Sequence, residues 1–247
     1  MYYKSLVGDN AFADGVGMEL VQYPPGRRYS RHPDNRNLQL THEDHYQGLP
    51  LLPKHGPYII SYLDGLKSTM ERAWNDHPRS LCIRCELMIP RSPVCGDEIV
   101  HEGLMKRFSA SLESKIYSER VRTRKRLGSA HHSSVRVVWS LEESSRDRDH
   151  YHILILVNHD AYRGLGSLDP EAESLGNMIR AAWASALGLP YHIGYGFVTF
   201  PPNPIYRLRG NTDYAEFAEV FRRASYMCKV RTKVYGDRRQ SFGYSRT

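Results

Sequence analysis

The chain has 247 residues, a formal net charge of +7 and an isoelectric point near 9.2. Its 40% hydrophobic content is enough for a globular core and excludes a disordered chain. No apolar run reaches the roughly 18–20 residues that cross a bilayer, and the N-terminus lacks the apolar core of a signal peptide. Four cysteines do not make a disulfide scaffold at this length, so we expect a cytoplasmic protein. The basic excess favours a polyanionic partner, nucleic acid before membrane.

Residues 1–56 show no sustained hydrophobic periodicity and are rich in Gly, Pro, Asn and Asp. This composition predicts an irregular, partly disordered N-terminal arm. The periodic segments all lie in residues 57–247, which we predict to form a single domain.

Apolar side chains at three- and four-residue steps predict helices over 57–76, 98–126, 169–187 and 213–233. Apolar and β-branched runs predict strands over 80–90, 135–142, 151–157 and 192–200. From residue 80 the order is β-α-β-β-α-β-α, whose first six elements match the split βαβ pattern. The predicted fold class is therefore α+β. A central antiparallel sheet of ferredoxin/RRM-like type carries flanking helices on one face, and the last helix lies across the sheet.

Cys82 and Cys85 have the C-x-x-C spacing of many zinc sites. In a strand the two thiols would point to opposite faces, and beyond Cys95 a fourth local ligand is missing. The sequence therefore disfavours a structural zinc ion here.

The predicted hairpin over 135–157 carries His150-Tyr151-His152 at the start of its second strand. Residues two apart in a strand share a face, so the two imidazoles lie side by side and Tyr151 points away. A residue of the neighbouring strand joins that face, and the register decides whether it is Glu142 or Glu143. Two imidazoles and a carboxylate make a divalent-metal site with open positions. Histidines that only meet water at a polar strand end are the alternative.

Basic side chains end the helix predicted over 98–126, among them Arg120, Arg122 and Arg124. They could contact phosphates of a nucleic acid. A solvated helix end that complements the helix dipole explains them equally well.

The last predicted helix has an apolar stripe of Phe217, Phe221, Ala224 and Cys228. At 100° per residue, Tyr226 lies about 180° from Phe217. Arg222, Lys229 and Lys233 fall near the same opposite face, and the tail adds Arg238, Arg239 and Arg246. This placement predicts a tyrosine among basic side chains at the edge of a groove, whereas an ordinary surface tyrosine is the default interpretation.

Together these motifs resemble the HUH endonucleases of the single-tyrosine class. The similarity extends to the inovirus gene-II-like replication proteins, the group also called the YagK/YfjJ C-terminal domain family. Members share Trp-x-x-Glu, then His-Tyr-His, then Ser-Tyr-x-x-Lys, Thr-Lys and a Phe-Gly-x-Ser-Arg ending. In this chain the motifs begin at Trp139, His150, Ser225, Thr232 and Phe242. The resemblance covers roughly residues 57–247 and does not cover the arm.

The resemblance implies an HUH endonuclease fold and a metal-dependent enzyme that nicks single-stranded or locally melted DNA. Mg²⁺ or Mn²⁺ would bind His150, His152 and Glu142, since Trp-x-x-Glu selects Glu142 over Glu143. Tyr226 would attack the phosphate and form a 5′-phosphotyrosine, assisted by Lys229. The implied use is rolling-circle replication of a phage or mobile element in a bacterial host cell, with a host helicase and polymerase as partners and no membrane. The expected DNA contacts are Arg120, Arg122, Arg124, Arg222, Lys233, Arg238 and Arg246.

Three other interpretations compete with this one. A mobilisation relaxase or a transposase would use the same chemistry for another purpose. A non-catalytic protein that binds single-stranded nucleic acid would not use this chemistry. A two-histidine, one-carboxylate oxygenase is disfavoured, because its carboxylate does not precede the histidine pair in a local hairpin.

Overall fold

An antiparallel sheet forms the centre of the fold in a computed structural model, which describes residues 29–90, 102–142, 149–209, 214–231, 233 and 240–246. The helices in these ranges are α1 (Ile60–Asp76), α2 (Leu104–Leu127), α3 (Leu175–Leu187), α4 (Tyr191–Gly194) and α5 (Tyr214–Ala224). The strands are β1 (Tyr29–Arg31), β2 (Gln39–Thr41), β3 (His45–Tyr46), β4 (Leu49–Pro50), β5 (Tyr58–Ile59), β6 (Arg79–Met88), β7 (Arg136–Glu142), β8 (His150–Asn158), β9 (Val198–Thr199), β10 (Ile205–Arg209) and β11 (Phe242–Tyr244). None of these helices combines the length and the apolar character needed to span a bilayer.

The strand order of the central sheet is β10-β6-β8-β7-β11, and β9 also pairs with β6. Every pairing is antiparallel. The predicted α+β class and antiparallel sheet are confirmed. The hairpin strand with the two histidines, β8, lies between β6 and β7, as predicted for a strand whose apolar run is buried on both faces.

Helices cover both faces of this sheet, so the prediction of helices on one face is correct only in part. The two helices that connect sheet strands, α2 and α3, pack on the face that carries Ile83 and Ile155. On the opposite face, α1 and α5 pack against Cys82, Leu154 and Leu156. Side chains alternate between the faces of a strand, so these apolar strands need a cover on each side. The histidines of β8 lie on the face covered by α1 and α5.

The strand predicted over 192–200 is wrong for most of its length. Residues 191–197 form α4 and a 3₁₀ turn, and only β9 is extended. A Cβ atom built on Gly194 would lie 2.3 Å from Cβ of Ala184, so α4 packs tightly against α3. The edge strand β10, which pairs with β6 and is longer than β9, was not predicted from the sequence.

Residues 29–59, most of which fall in the predicted irregular arm, form short strands against the domain. They form the sheet β1-β2-β5 and the pair β3-β4, and Leu40 of β2, Leu49 of β4 and the following Leu51 are buried. The hydroxyl of Tyr46 donates to Asp64 Oδ1 of α1 at 2.7 Å. Residues 1–28 lie outside the described residues, so the predicted arm is described only from residue 29.

The Phe-Gly-x-Ser-Arg ending forms the edge strand β11 and has a structural role. A Cβ atom on Gly243 would lie 2.5 Å from the Trp139 ring, so only glycine fits there. The hydroxyl oxygen of Ser245 accepts a hydrogen bond from the Val137 N–H at 2.9 Å. The motif therefore closes the sheet edge beside β7.

We expect Gly243→Ala to lower the free energy of unfolding by about 1–3 kcal/mol, because the added methyl group overpacks the contact with Trp139. Urea unfolding followed by tryptophan fluorescence measures the change. Gly196→Ala is the control, since a Cβ atom there meets nothing within 4 Å. Equal stability of both variants would show that the edge strand tolerates the methyl group.

Candidate metal centre and tyrosine site

The β7–β8 register brings Glu142 and the two histidines to one face of the sheet. Glu142 is the direct partner of His150, and Ser140 is the direct partner of His152. Because Ser140 and Glu142 are two apart, they share the face that the histidines occupy. The register therefore selects Glu142 over Glu143, which lies outside the described residues.

One donor atom from each of Glu142, His150 and His152 lies within 4.8 Å of the others. The two Nε2 atoms are 3.1 Å apart, and His152 Nε2 is 3.3 Å from Glu142 Oε2. Two imidazole nitrogens and a carboxylate oxygen that converge in this way fit a divalent cation and leave coordination positions open. These three residues would hold the ion.

The protonation states of His152 and Glu142 also suit a cation. Burial lowers the pKa of His152 to about 4, although Glu142 opposes the shift. Burial would raise the pKa of Glu142, but the hydrogen bond and charge of His152 and the two nearby lysines bring it well below its usual range. Near neutral pH the His152 imidazole is therefore neutral and the Glu142 carboxylate is charged. These are the forms that bind metals.

Two buried lysines flank the carboxylate of Glu142. Lys229 Nζ is 3.1 Å and Lys233 Nζ is 3.7 Å from Glu142 Oε1. Burial lowers the pKa of Lys233, and Glu142 partly offsets the shift. The prediction that Lys233 contacts DNA at the surface is therefore corrected. Its side chain is buried inside the site, where its positive charge lies near the Glu142 carboxylate.

Tyr226 lies beside this cluster, but its setting differs from the predicted one. The helix changes to a 3₁₀ turn at Ser225, and Lys229 has extended backbone dihedrals. Because a 3₁₀ turn has about 3.0 residues per turn, the helical phase from Phe217 no longer applies. Tyr226 is 4% exposed, so it is neither a surface residue nor at a groove edge.

Three side chains surround the Tyr226 ring. Its centroid is 5.3 Å from that of His152 and 5.1 Å from that of His55, both in edge-to-face geometry. Lys229 Nζ lies 3.4 Å from the ring centroid. The fold therefore brings Tyr226 and Lys229 against the predicted metal ligands. The helical phase of the sequence had instead placed Lys229 on the face opposite the apolar stripe.

A segment that begins in the predicted arm and continues into the predicted domain contacts the Tyr226 turn, and we call its residues 51–58 the strap. The Leu52 N–H donates to Ser225 Oγ at 3.0 Å, and Val230 N–H donates to the Pro57 carbonyl at 3.0 Å. Tyr58 and Lys229 form an isolated antiparallel bridge. His55 belongs to this strap. No pattern in the sequence indicated a role for His55, because residue 55 lies in a Gly- and Pro-rich stretch far from every motif.

Glu86 is a second site residue that sequence reasoning missed. It pairs with His152 across β6 and β8, and its Oε1 lies 3.6 Å from His152 Nδ1. Burial raises the pKa of Glu86, an effect that His150 opposes and Glu142 reinforces. The signal was present in the sequence, since Arg84 and Glu86 interrupt an otherwise apolar strand at two-residue spacing. On the same face, Arg84 Nη1 donates to the Tyr206 hydroxyl at 3.1 Å.

Several predicted DNA contacts are engaged in other interactions. Arg120 binds Glu119 at 2.5 Å and lies over the Tyr162 ring, so it belongs to a partly buried cluster. Arg122 pairs with Glu173, and Arg222 pairs with Glu219 at 2.8 Å. Arg124 and Arg246 are exposed. Arg238 and Arg239 lie outside the described residues.

A different basic surface lies at the far end of the sheet, and we call it the β10 cluster. Its members are four exposed arginines around His159: Arg79, Arg163, Arg207 and Arg209. Arg209 is the cross-strand partner of Arg79, and Arg207 Nη2 donates to the Arg163 carbonyl at 3.3 Å. Asp160 pairs with Arg79 alone; the other three arginines have no ion-pair partner in the described part of the chain.

The family model described as YagK/YfjJ C-terminal domain matches residues 41–245. The Escherichia coli (strain K12) protein called "Uncharacterized protein YfjJ" is 34% identical over 200 residues, which cover 77% of this chain and 96% of YfjJ. "Uncharacterized protein YagK" from the same strain is 32% identical over 207 residues, which cover 81% of this chain and 97% of YagK. No solved structure matches the chain.

Proposed function

The chain belongs to the YagK/YfjJ C-terminal domain family, and from the geometry of its buried site we propose that it is a metal-dependent tyrosine endonuclease of the HUH type. It would nick single-stranded or locally melted DNA at a specific sequence and initiate rolling-circle replication of a phage or mobile element. One observation carries this proposal. A tyrosine with a lysine over its ring packs directly against a cluster of two histidines and a carboxylate.

In this proposal Tyr226 is the nucleophile. Its oxygen attacks the phosphorus of the scissile phosphodiester, a tyrosine–phosphate bond forms, and the bond between phosphorus and the 3′ oxygen breaks. The products are a 5′-phosphotyrosine and a free 3′-hydroxyl, which takes up a proton and can prime a polymerase. Since one phosphodiester replaces another, the reverse reaction rejoins the strand.

The neighbouring residues prepare this step. His150, His152 and Glu142 would hold the cation, which would polarise the scissile phosphate and offset the charge that develops in the transition state. Nitrogen donors favour Mn²⁺ over Mg²⁺, which prefers oxygen ligands. Lys229 would place a positive charge over the Tyr226 ring, where it could offset the negative charge of the phosphate in the transition state. Tyr226 is buried, so access for a phosphodiester requires part of its cover, such as the strap with His55, to move.

The substrate backbone would also contact the β10 cluster. His152 and Asn158 are six residues apart in β8, which corresponds to roughly 20 Å along the strand. Asn158 pairs with Ser80, next to Arg79 of the cluster, so the cluster lies about this far from the metal centre. Exposed arginines at this distance suit the phosphates that flank the nicked position.

We expect the triple variant Arg163→Gln, Arg207→Gln, Arg209→Gln to bind DNA more weakly and with a smaller salt dependence. Each lost phosphate contact lowers the slope of log K against log salt by roughly 0.7–0.9, so the full effect is about 2–3. Fluorescence anisotropy with labelled DNA over a salt series measures it. The control removes the same charge elsewhere by replacing the exposed Arg31, Arg36 and Lys106 with glutamine. Equal slopes for the two triple variants would exclude the β10 cluster as a binding surface.

The direct test is a covalent adduct. The protein is incubated with Mn²⁺ and a library of end-labelled single-stranded DNA and then run on a denaturing gel. Label that migrates with the protein, and that EDTA abolishes, is the expected result. Clear DNA binding with no adduct on any library member would favour the non-catalytic binding protein.

A further inference from the structure

His152 is held between two carboxylates that approach different nitrogens of its ring. On one side, Nε2 lies 3.3 Å from Glu142 Oε2 and 3.1 Å from His150 Nε2. On the other side, Nδ1 lies 3.6 Å from Glu86 Oε1. The side of the ring that carries Nε2 therefore faces the other two candidate ligands, Glu142 and His150. Glu86 lies on the opposite side of the ring, near Nδ1.

The chemistry of a metal-binding imidazole gives Glu86 a specific role. A neutral imidazole that binds a cation through Nε2 carries its proton on Nδ1. A carboxylate near Nδ1 accepts that proton in a hydrogen bond, which fixes the tautomer and the ring orientation. Glu86 Oε1 lies 3.6 Å from Nδ1, just beyond hydrogen-bond length, because Glu86 is the direct partner of His152 between β6 and β8. A small shift of either side chain forms this hydrogen bond.

The burial of Glu86 supports a functional reason for this side chain. Its exposed fraction is 19%, and it lies in a strand that is otherwise largely apolar. Burying a carboxylate costs free energy unless hydrogen bonds or charges offset it. Apolar residues at this position would suit the sheet better, so the carboxylate is expected to serve His152.

We infer that Glu86 is a positioning residue, which keeps His152 in the Nδ1-protonated tautomer and aims Nε2 at the cation. This inference rests on the metal centre of the proposed function and does not depend on nicking. Glu86 acts through His152 and does not itself bind the ion.

The first test measures the affinity for Mn²⁺ by electron paramagnetic resonance of the free ion, without DNA. We expect Glu86→Ala to weaken Mn²⁺ binding by about 10–100-fold, the usual effect of losing such a partner. Glu86→Gln should retain most of the affinity, because its amide oxygen still accepts the Nδ1 proton. Ser140→Ala is the matched control, since Ser140 is the partner of His152 on the other neighbouring strand. Circular dichroism melts show whether each variant is folded.

The second test reads the tautomer directly. Long-range ¹H–¹⁵N spectra of the metal-free, histidine-labelled protein should show a larger share of His152 protonated at Nδ1 in the native protein and in Glu86→Gln than in folded Glu86→Ala. Without the Glu86 carboxylate, Glu142 beside Nε2 draws the proton to that nitrogen.

Two results would overturn the inference. Unchanged Mn²⁺ affinity and tautomer in folded Glu86→Ala would remove any role for Glu86. A loss as complete as that of His152→Ala would make Glu86 a ligand instead. Neither readout involves DNA. A native protein that binds Mn²⁺ as expected but never forms an adduct would overturn the proposed endonuclease and leave this inference intact.

Discussion

Tyr226→Phe is expected to reduce the covalent protein–DNA adduct by at least about 10³-fold, the order of loss that follows removal of an enzyme's nucleophile. Phenylalanine keeps the ring that packs against His55, His152 and Lys229 but lacks the oxygen that attacks phosphorus. The variant should therefore stay folded and bind DNA and Mn²⁺ like the native protein. Denaturing gels with labelled DNA measure the adduct.

Tyr244→Phe is the control for this loss, because Tyr244 lies in the edge strand β11 and packs beside Gly65 of α1. Its adduct should equal that of the native protein. An adduct that persists in Tyr226→Phe would mean that another tyrosine attacks, with Tyr235 and Tyr244 the first to examine. Nicking of DNA by the native protein without any tyrosine-linked product would exclude the covalent mechanism.

The double variant His150→Ala, His152→Ala should lose nicking and Mn²⁺ binding and keep its DNA affinity within a few-fold. Both lost side chains carry the nitrogen donors of the centre, so the decrease in metal affinity should exceed the roughly 10–100-fold typical of an outer partner. DNA affinity should survive because the exposed arginines of the β10 cluster are unchanged. Isothermal titration with Mn²⁺, anisotropy with DNA and the adduct gel give the three values.

His131→Ala, His132→Ala is the matched control, since these exposed histidines lie in the loop before β7. It should match the native protein in all three measurements. Full adduct formation by the His150, His152 double variant would remove the metal centre from the mechanism. Loss of DNA binding together with nicking would indicate that the histidines serve as nucleic-acid contacts.

The candidate metal ligands could be predicted because a β-hairpin is local. Strand alternation places His150 and His152 on one face, and a short connection limits the carboxylate to Glu142 or Glu143. Only the register, which pairs Glu142 with His150, decides between the two. The central position of β8 was predictable for a similar reason, since a continuous apolar run needs cover on both faces.

The setting of Tyr226 could not be predicted from helical phase. The helix changes to a 3₁₀ turn at Ser225, where the strap makes a long-range contact through the hydrogen bond from the Leu52 N–H to Ser225 Oγ. These residues are 173 positions apart in sequence. The same long-range packing buries Lys229 and Lys233 against Glu142, where phase alone predicted an exposed basic face.

The sequence by itself determined the antiparallel sheet, the hairpin and the two histidines with Glu142 or Glu143 as candidate ligands, because these follow from local periodicity and strand alternation. The roles of Tyr226 and Lys229 rested on the resemblance to a family. The tertiary structure alone decided that helices cover both faces, that Arg120 and Arg122 are held in ion pairs, and that Glu86 and His55 join the site. Contacts of this kind join residues that are distant in the chain. Their partners are selected by packing and by the burial of charge, which no local pattern records.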